Sequence, residues 1–186
     1  MTLVAAFVAE DFAVMAGDYR RTNMDDHSEY YDDCPKAFKL NDGLLIGHSG
    51  DYEAANYLID AVKQYIKPSK SLEHVTGVFR EGIKQAFDDD VDFVFHLAGR
   101  QANGGLALAR VGQFDSFEPV YIDAQPGAVM FDVSYAKYDP CQWLKEQIPN
   151  LTRLEPYFVR RLARRAIRHV ASKDEFVSPK GDVVSI

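Results

Sequence analysis

Residues 2–20 read TLVAAFVAEDFAVMAGDYR, and residues 35–50 read PKAFKLNDGLLIGHSG. Thr2 to Val8 is an apolar, β-prone run, Glu10-Asp11 is a turn, and Ala13 to Gly17 follows as a second strand. Lys36 to Leu40 and Leu44 to His48 flank Asn41-Asp42-Gly43, a triplet whose turn chemistry predicts a hairpin. Between these halves lies an acidic, aromatic segment, NMDDHSEYYDDCP at 23–35, which reads as a loop.

Beyond Gly50 the apolar period changes from strand to helix. Ala54, Tyr57, Leu58, Ala61, Val62 and Tyr65 recur at three- and four-residue spacing, and Pro68 follows the predicted helix end. A second helix is predicted from Leu72 to Phe87, with Val75, Phe79, Ile83 and Phe87 on one face. Strands are then expected at Asp92–Ala98, Leu106–Val111, Phe117–Ile122 and Ala128–Val133, separated by turn-rich segments such as RQANGG and DAQPG. Helices follow at Cys141–Ile148 and Glu155–Ser172, the latter with Val159, Leu162, Ala163, Ala166, Ile167 and Val170 inward. A closing pair of short strands is expected around PKGD, residues 179–182. Blocks of strands alternating with pairs of helices give an α+β chain, not the strict βαβα order of a Rossmann domain. Two antiparallel sheets between two helical layers, a four-layer αββα sandwich, accommodate this order, and no linker or repeat divides residues 1–186 into more than one domain.

With 47% hydrophobic and 12% aromatic residues, the chain has the composition of a packed globular protein and not of a disordered one. A formal net charge of -7 disfavours nucleic acid as a partner. Arg160, Arg161, Arg164, Arg165 and Arg168 are the basic exception. Their spacing sets them mainly opposite the apolar residues of the same helix, as a solvated face, with a subunit contact or a substrate-facing patch as the other readings. Cys34 and Cys141 are far apart and form no C-x-x-C pair, which suggests neither a disulfide framework nor a zinc knuckle and fits a cytoplasmic location. The N-terminal run has no basic segment and is interrupted by acids after Val8, unlike a signal peptide, and no stretch is apolar enough to span a membrane.

A threonine directly after an initiator methionine is exposed by methionine removal, because its side chain is small. Thr2 would then carry a hydroxyl nucleophile and a free α-amine whose pKa of about 7.7–8.0 lets it take the hydroxyl proton near neutrality without a histidine. Alone this says little, since many chains begin Met-Thr. Its company is more specific. Thr2, Gly17-Asp18, Arg20, Lys36 and the Gly47–Gly50 turn resemble, in order and nearly in spacing, the active-site frame of proteasome β-subunits and their bacterial HslV relatives. The gap before Lys36 is slightly longer than that family's, as an insertion in the acidic loop would make it. The resemblance implies an N-terminal-nucleophile (Ntn) hydrolase fold. It also implies that a buried Lys36 ammonium keeps the amine neutral, Asp18 neutralises Lys36, and the Gly50 N–H faces the developing oxyanion. Each residue also has a plainer reading: Asp18 and Lys36 as a structural ion pair, Arg20 as a surface charge, Gly50 as a turn into a helix.

Towards the C-terminus, RRLARRAIRHVASKDEF at 160–176 looks like the late helix of that family and the aspartate after it, which implies that Asp174 steers the N-terminal amine. The family carries a serine three residues past this aspartate. Here Val177 stands there and Ser178 follows, so Ser178 fills the role only if the chain bulges. The family's Gly-Ser-Gly segment is not evident near MFDVSYAKY at 130–138, where Ser134 is the available substitute. Residues 2–20 are also similar to the opening of the archaeal connectases, proteasome relatives that join peptides through an acyl-enzyme. The long insertion and added C-terminal region of those enzymes have no counterpart in this sequence.

The expected activity is therefore cleavage of peptide or protein amide bonds through a threonyl ester, with no cofactor or metal. Transfer of the same acyl group to a peptide amine, and a catalytically silent assembly subunit, are the alternatives. The resemblance further implies a homo-oligomer, in the form of a ring.

Other signals carry less. Gly47-His48-Ser49-Gly50 fails the G-x-S-x-G elbow because Asp51 stands at its last glycine, and Ser49 or Asp51 reads better as a helix N-cap. His27, His48, His74, His96 and His169 form no metal-binding spacing. Asp88-Asp89-Asp90 with Asp92 reads as a solvated acidic turn, and GRQANGG as a hairpin turn.

Overall fold

The computed structural model describes residues 2–22, 30–67, 70–87 and 92–186. Met1, Pro68, His27 with the rest of 23–29, and the acidic run Asp88–Asp90 lie outside the described residues. The chain begins with strands β1 (Val4–Val8), β2 (Ala13–Asp18), β3 (Arg20–Thr22), β4 (Tyr30–Asp32), β5 (Ala37–Asn41) and β6 (Leu44–Gly50). Helices α1 (Tyr52–Lys63) and α2 (Leu72–Ala86) follow. Then come strands β7 (Phe93–Arg100), β8 (Leu106–Gly112), β9 (Val120–Asp123) and β10 (Met130–Ser134), helices α3 (Cys141–Gln147) and α4 (Pro156–Ala171), and strand β11 (Gly181–Ser185).

Two antiparallel sheets, ordered β10-β1-β2-β11 and β5-β6-β7-β8-β9, stack face to face. Strand alternation explains how each contributes to two cores at once. In β1 and the residue before it, Leu3, Ala5 and Phe7 pack towards α3 and α4, while Val4, Ala6 and Val8 pack on the other sheet. Both faces are covered, so β1 is buried throughout and reads in sequence as one apolar run. In the second sheet Ile46, Phe93, Phe95 and Leu97 face α1 and α2, through Leu58, Val75, Phe79 and Ile83. The three cores between four layers make the αββα sandwich. The six residues expected to face inward from the last helix are all buried. Asp51 caps α1 by accepting from the N–H groups of Glu53 and Ala54 at 2.9 and 3.0 Å.

Three segments depart from the expected pattern. The strand expected from Phe117 begins only at Val120, because Ser116 and Phe117 adopt left-handed φ of 52° and 59° and turn the Phe117 ring into the core beside Phe93. The closing pair of short strands is a single strand, β11, whose partner is β2 in the register Gly181 to Asp18 and not a neighbour in sequence. The segment read as a loop at 23–35 contains β4, which pairs with β3 and is held there by the Arg20–Asp32 ion pair. In the last two cases a long-range or ionic pairing won over local turn chemistry, and a single sequence does not display either.

Candidate active site

Asp18 ends β2 with its carboxylate fully buried. An isolated buried carboxylate is costly, and the backbone around it supplies the compensation. Its Oδ1 accepts from the Leu3 N–H at 2.9 Å, and its Oδ2 accepts from the N–H groups of Arg20 at 2.7 Å and Ser178 at 3.0 Å. The Leu3 carbonyl accepts from the Asp18 N–H in return, at 3.1 Å, so pairing with β2 continues through Leu3. Thr2, 3% exposed, is thus held one residue from this carboxylate.

The fourth partner is Lys36. It immediately precedes β5, and its carbonyl accepts from the His48 N–H at 3.0 Å. The close approach of this segment needs Gly17, where a Cβ would stand 3.1 Å from the Ala37 nitrogen and 3.2 Å from the Lys36 carbonyl carbon. Lys36 is 2% exposed, with Nζ 3.4 Å from Asp18 Oδ1 and a further hydrogen bond to the Arg20 carbonyl. Burial pushes the Lys36 ammonium below its ordinary range, and the Asp18 carboxylate opposes that shift. Burial likewise pushes the Asp18 carboxyl up, against the pull of Lys36 and the three N–H donors. Each group holds the other's charge in a buried site.

The remaining expected residues fall into two groups. Arg20 points along the hairpin, donating to Asp32 at 2.8 and 2.9 Å and to the Glu175 carbonyl at 2.6 Å. It fastens β3 and β4 to the turn after α4. Ser178 is buried and gives its N–H to Asp18, whereas Val177 packs into the core under α4. The chain therefore brings Ser178, and not Val177, to the carboxylate. Asp174 is also buried, and accepts from the N–H groups of Lys137 at 2.7 Å, Tyr138 at 3.1 Å and Phe176 at 3.0 Å. Ser134 ends β10 with its Oγ 2.6 Å from His96 Nε2. Gly50 ends β6 at φ 95°, where a Cβ would lie 2.0 Å from the Asp92 carbonyl oxygen, so only glycine fits this turn into α1.

Two groups next to this site have no motif to announce them. His48 is 1% exposed, has both ring nitrogens without a partner among the described residues, and is pushed down to about 4 by burial and by Lys36. His96 is equally buried and is likewise pushed down to about 4, by burial first. Among the described residues no group of three or more His, Cys, Asp or Glu is placed to hold a metal ion. Nor is any described helix long and apolar enough to cross a membrane.

No protein-family model matches the chain, and no curated protein matches it in sequence. Solved structures do match in three dimensions. HslV from Trypanosoma brucei is 15% identical over 98% of each chain, with a TM-score of 0.66. Anbu from Pseudomonas aeruginosa, solved as a helical assembly, is 18% identical over 99% of this chain and 80% of its own, with a TM-score of 0.71. Anbu from Yersinia bercovieri, described as an ancestral β-subunit, is 13% identical over 98% and 80%, with a TM-score of 0.74. The likeness is one of fold: this chain has the four-layer αββα sandwich in common with HslV and Anbu.

Proposed function

We propose that this chain is an N-terminal-threonine hydrolase that cleaves peptide or protein amide bonds through a threonyl ester. The observation that carries the reading is the buried Asp18–Lys36 pair, anchored to the N–H of the residue that follows Thr2. With Met1 removed, the Thr2 α-amine takes the hydroxyl proton while Oγ1 attacks the substrate carbonyl. The neighbouring Lys36 ammonium disfavours a second positive charge and so keeps the resting amine neutral. The Gly50 N–H donates to the oxyanion. Collapse expels the amine fragment with the proton that the α-amine carried. Water, deprotonated by the same amine, then releases the acid and restores Thr2. Asp174 acts on this geometry through the 135–138 segment that it holds, because both of its oxygens carry backbone donors.

The first test is intact mass together with covalent labelling by a threonine-directed electrophile such as a β-lactone. Native protein is expected to start at Thr2 and to take one label, and Thr2→Ala to take none. Equal labelling of the variant sinks the assignment. Retained Met1 with no labelling favours a silent assembly subunit.

The β3–β4 hairpin favours a second reading, in which a peptide amine receives the acyl group in place of water. Fastened by Arg20 beside the Asp18 carboxylate, it offers one wall for an incoming chain. Incubation with a cleavable peptide and an excess of a second peptide separates the two. Free acid supports hydrolysis, and joined product with little acid establishes the transpeptidase. The helical assembly of Pseudomonas Anbu supports self-association of this chain as well. A monomeric mass by light scattering at micromolar concentration would remove that part.

A further inference from the structure

Between the two sheets, next to the Thr2 end, four polar side chains form a chain of contacts. Along β10, Phe131 and Val133 pack under the helices and Met130 packs between the sheets, so Asp132 and Ser134 face the inter-sheet space. Along β7, Phe93, Phe95 and Leu97 face α1 and α2, which turns His96 into the same space. Its partner in β6 is Gly47, which has no side chain to compete for that room. Arg110 of β8 donates from Nη1 to both Asp132 oxygens at 3.1 and 3.2 Å, and from Nε and Nη2 to Asp115. Asp132 Oδ2 lies 3.5 Å from His96 Nδ1, a charge contact that makes no hydrogen bond, and His96 Nε2 lies 2.6 Å from Ser134 Oγ.

The direction of these contacts follows from which groups can donate. Asp132, paired with Arg110, carries negative charge 3.5 Å from Nδ1, and that charge favours the neutral tautomer with its hydrogen on Nδ1 over one that turns the Nδ1 lone pair to the carboxylate, which leaves Nε2 bare. Ser134 must then donate its hydroxyl hydrogen to Nε2. That leaves the Ser134 oxygen with lone pairs and no hydrogen to offer elsewhere. Ser134 stands opposite Val4 in the sheet, and Thr2 shares the face of Val4 because pairing continues through Leu3. The diagonal from Ser134 to Thr2 is therefore a same-face neighbour relation.

We propose that His96 is a positioning residue for the Thr2 site: fixed in one tautomer by Asp132 and Arg110, it engages the Ser134 hydroxyl as a donor and presents the Ser134 oxygen as an acceptor for the α-ammonium formed on attack. This rests on the threonine reading above. It supplies the acceptor that a Gly-Ser-Gly segment would otherwise bring, by a route that no local motif encodes. The charged groups around the imidazole are Asp132 of β10 and Arg110 of β8, with Asp115 behind Arg110. Burial and Arg110 hold the ring neutral at working pH, and Asp132 pulls the other way.

The test is the rate of β-lactone labelling at Thr2, combined with ¹⁵N NMR of the His96 ring. Ser134→Ala is expected to slow labelling about tenfold and to lower the melting temperature, because it leaves the buried Nε2 without a partner. Asp132→Asn is expected to slow it as well, since an amide can donate to Nδ1 and free the wrong tautomer. The double variant should be no slower than Ser134→Ala alone, because both act through one oxygen. The NMR should find the hydrogen on Nδ1 in the native protein. No labelling of native protein overturns the threonine reading, and this inference with it. A labelled native protein with additive losses, an unaffected Ser134→Ala or a hydrogen on Nε2 overturns the inference alone.

Discussion

Asp18 and Asp174 are two buried aspartates, each holding three backbone N–H groups, and they differ in one partner. Asp18 also faces the Lys36 ammonium. Among the described residues the carboxylate of Asp174 has backbone N–H groups as its hydrogen-bond partners. The same device thus serves two purposes. At Asp174 it is a clamp that joins the turn after α4 to the segment after β10. At Asp18 the clamp additionally holds a cation in a place where water would not, and it fixes the strand that leads back to Thr2. A carboxylate satisfied by backbone alone stabilises a fold, whereas one that shares its charge with a buried lysine also sets the proton affinity of whatever stands beside that lysine.

Removing each carboxylate breaks this comparison in different ways. Asp18→Ala strands the Lys36 charge and three N–H donors, and is expected to cost about 3–5 kcal/mol of stability and all activity. Chemical denaturation of the variant checks this, and a loss similar to that of the Asp174 variant would remove the distinction. Acid probes the wider neighbourhood of the two clamps. His48 and His96 both titrate near 4 in the folded protein and about 6.5 unfolded, so the unfolded chain binds more protons between those values. Stability is then fully present above about pH 6.5 and falls as pH drops through 4, by about 3 kcal/mol for each histidine. A melting curve that is flat from pH 7 to 4.5 contradicts this, and His48→Gln should remove about half of the slope. Asp174→Asn keeps the shape of the clamp but sets an NH2 group against a backbone N–H on one side, at about 1–3 kcal/mol, with labelling of Thr2 slowed but present. Lys36→Met should change stability least, by about 1 kcal/mol, since Asp18 keeps its three donors, and yet it should abolish turnover. Near-normal turnover in that variant contradicts the electrostatic role given to the lysine.

The contrast between the clamps was half visible in advance. Asp18 and Lys36 stand in a frame of glycines and apolar strands whose order is informative, and the interior spacing of Val159, Leu162, Ala163, Ala166, Ile167 and Val170 sets one face of α4 against a sheet. Ser178 fills the family's serine position only with a bulge, and in the structure its backbone N–H reaches Asp18 while its hydroxyl accepts from the Lys180 N–H. The left-handed turn that folds Phe117 inward, the β3–β4 hairpin and the pairing of β11 with β2 were not legible. Each depends on a partner remote in sequence or on a left-handed backbone state that these residue types rarely adopt and that packing imposes, and neither leaves a periodic trace.

By itself the sequence determined the layers, because a strand covered on both faces must be apolar throughout and a helix on a sheet must be apolar on one side, and both demands are written locally. It also determined which residue types could meet at the Thr2 end. Only the tertiary structure decided which of them do. Lys36 comes under Asp18, and His96 comes between Ser134 and Asp132, across the two stacked sheets, where strand registers within each sheet set which residues 18, 38 and 36 positions apart come face to face. Register is a property of pairs of strands, and the free energy that selects it is spread over whole faces of the sandwich, so no short stretch of sequence carries it.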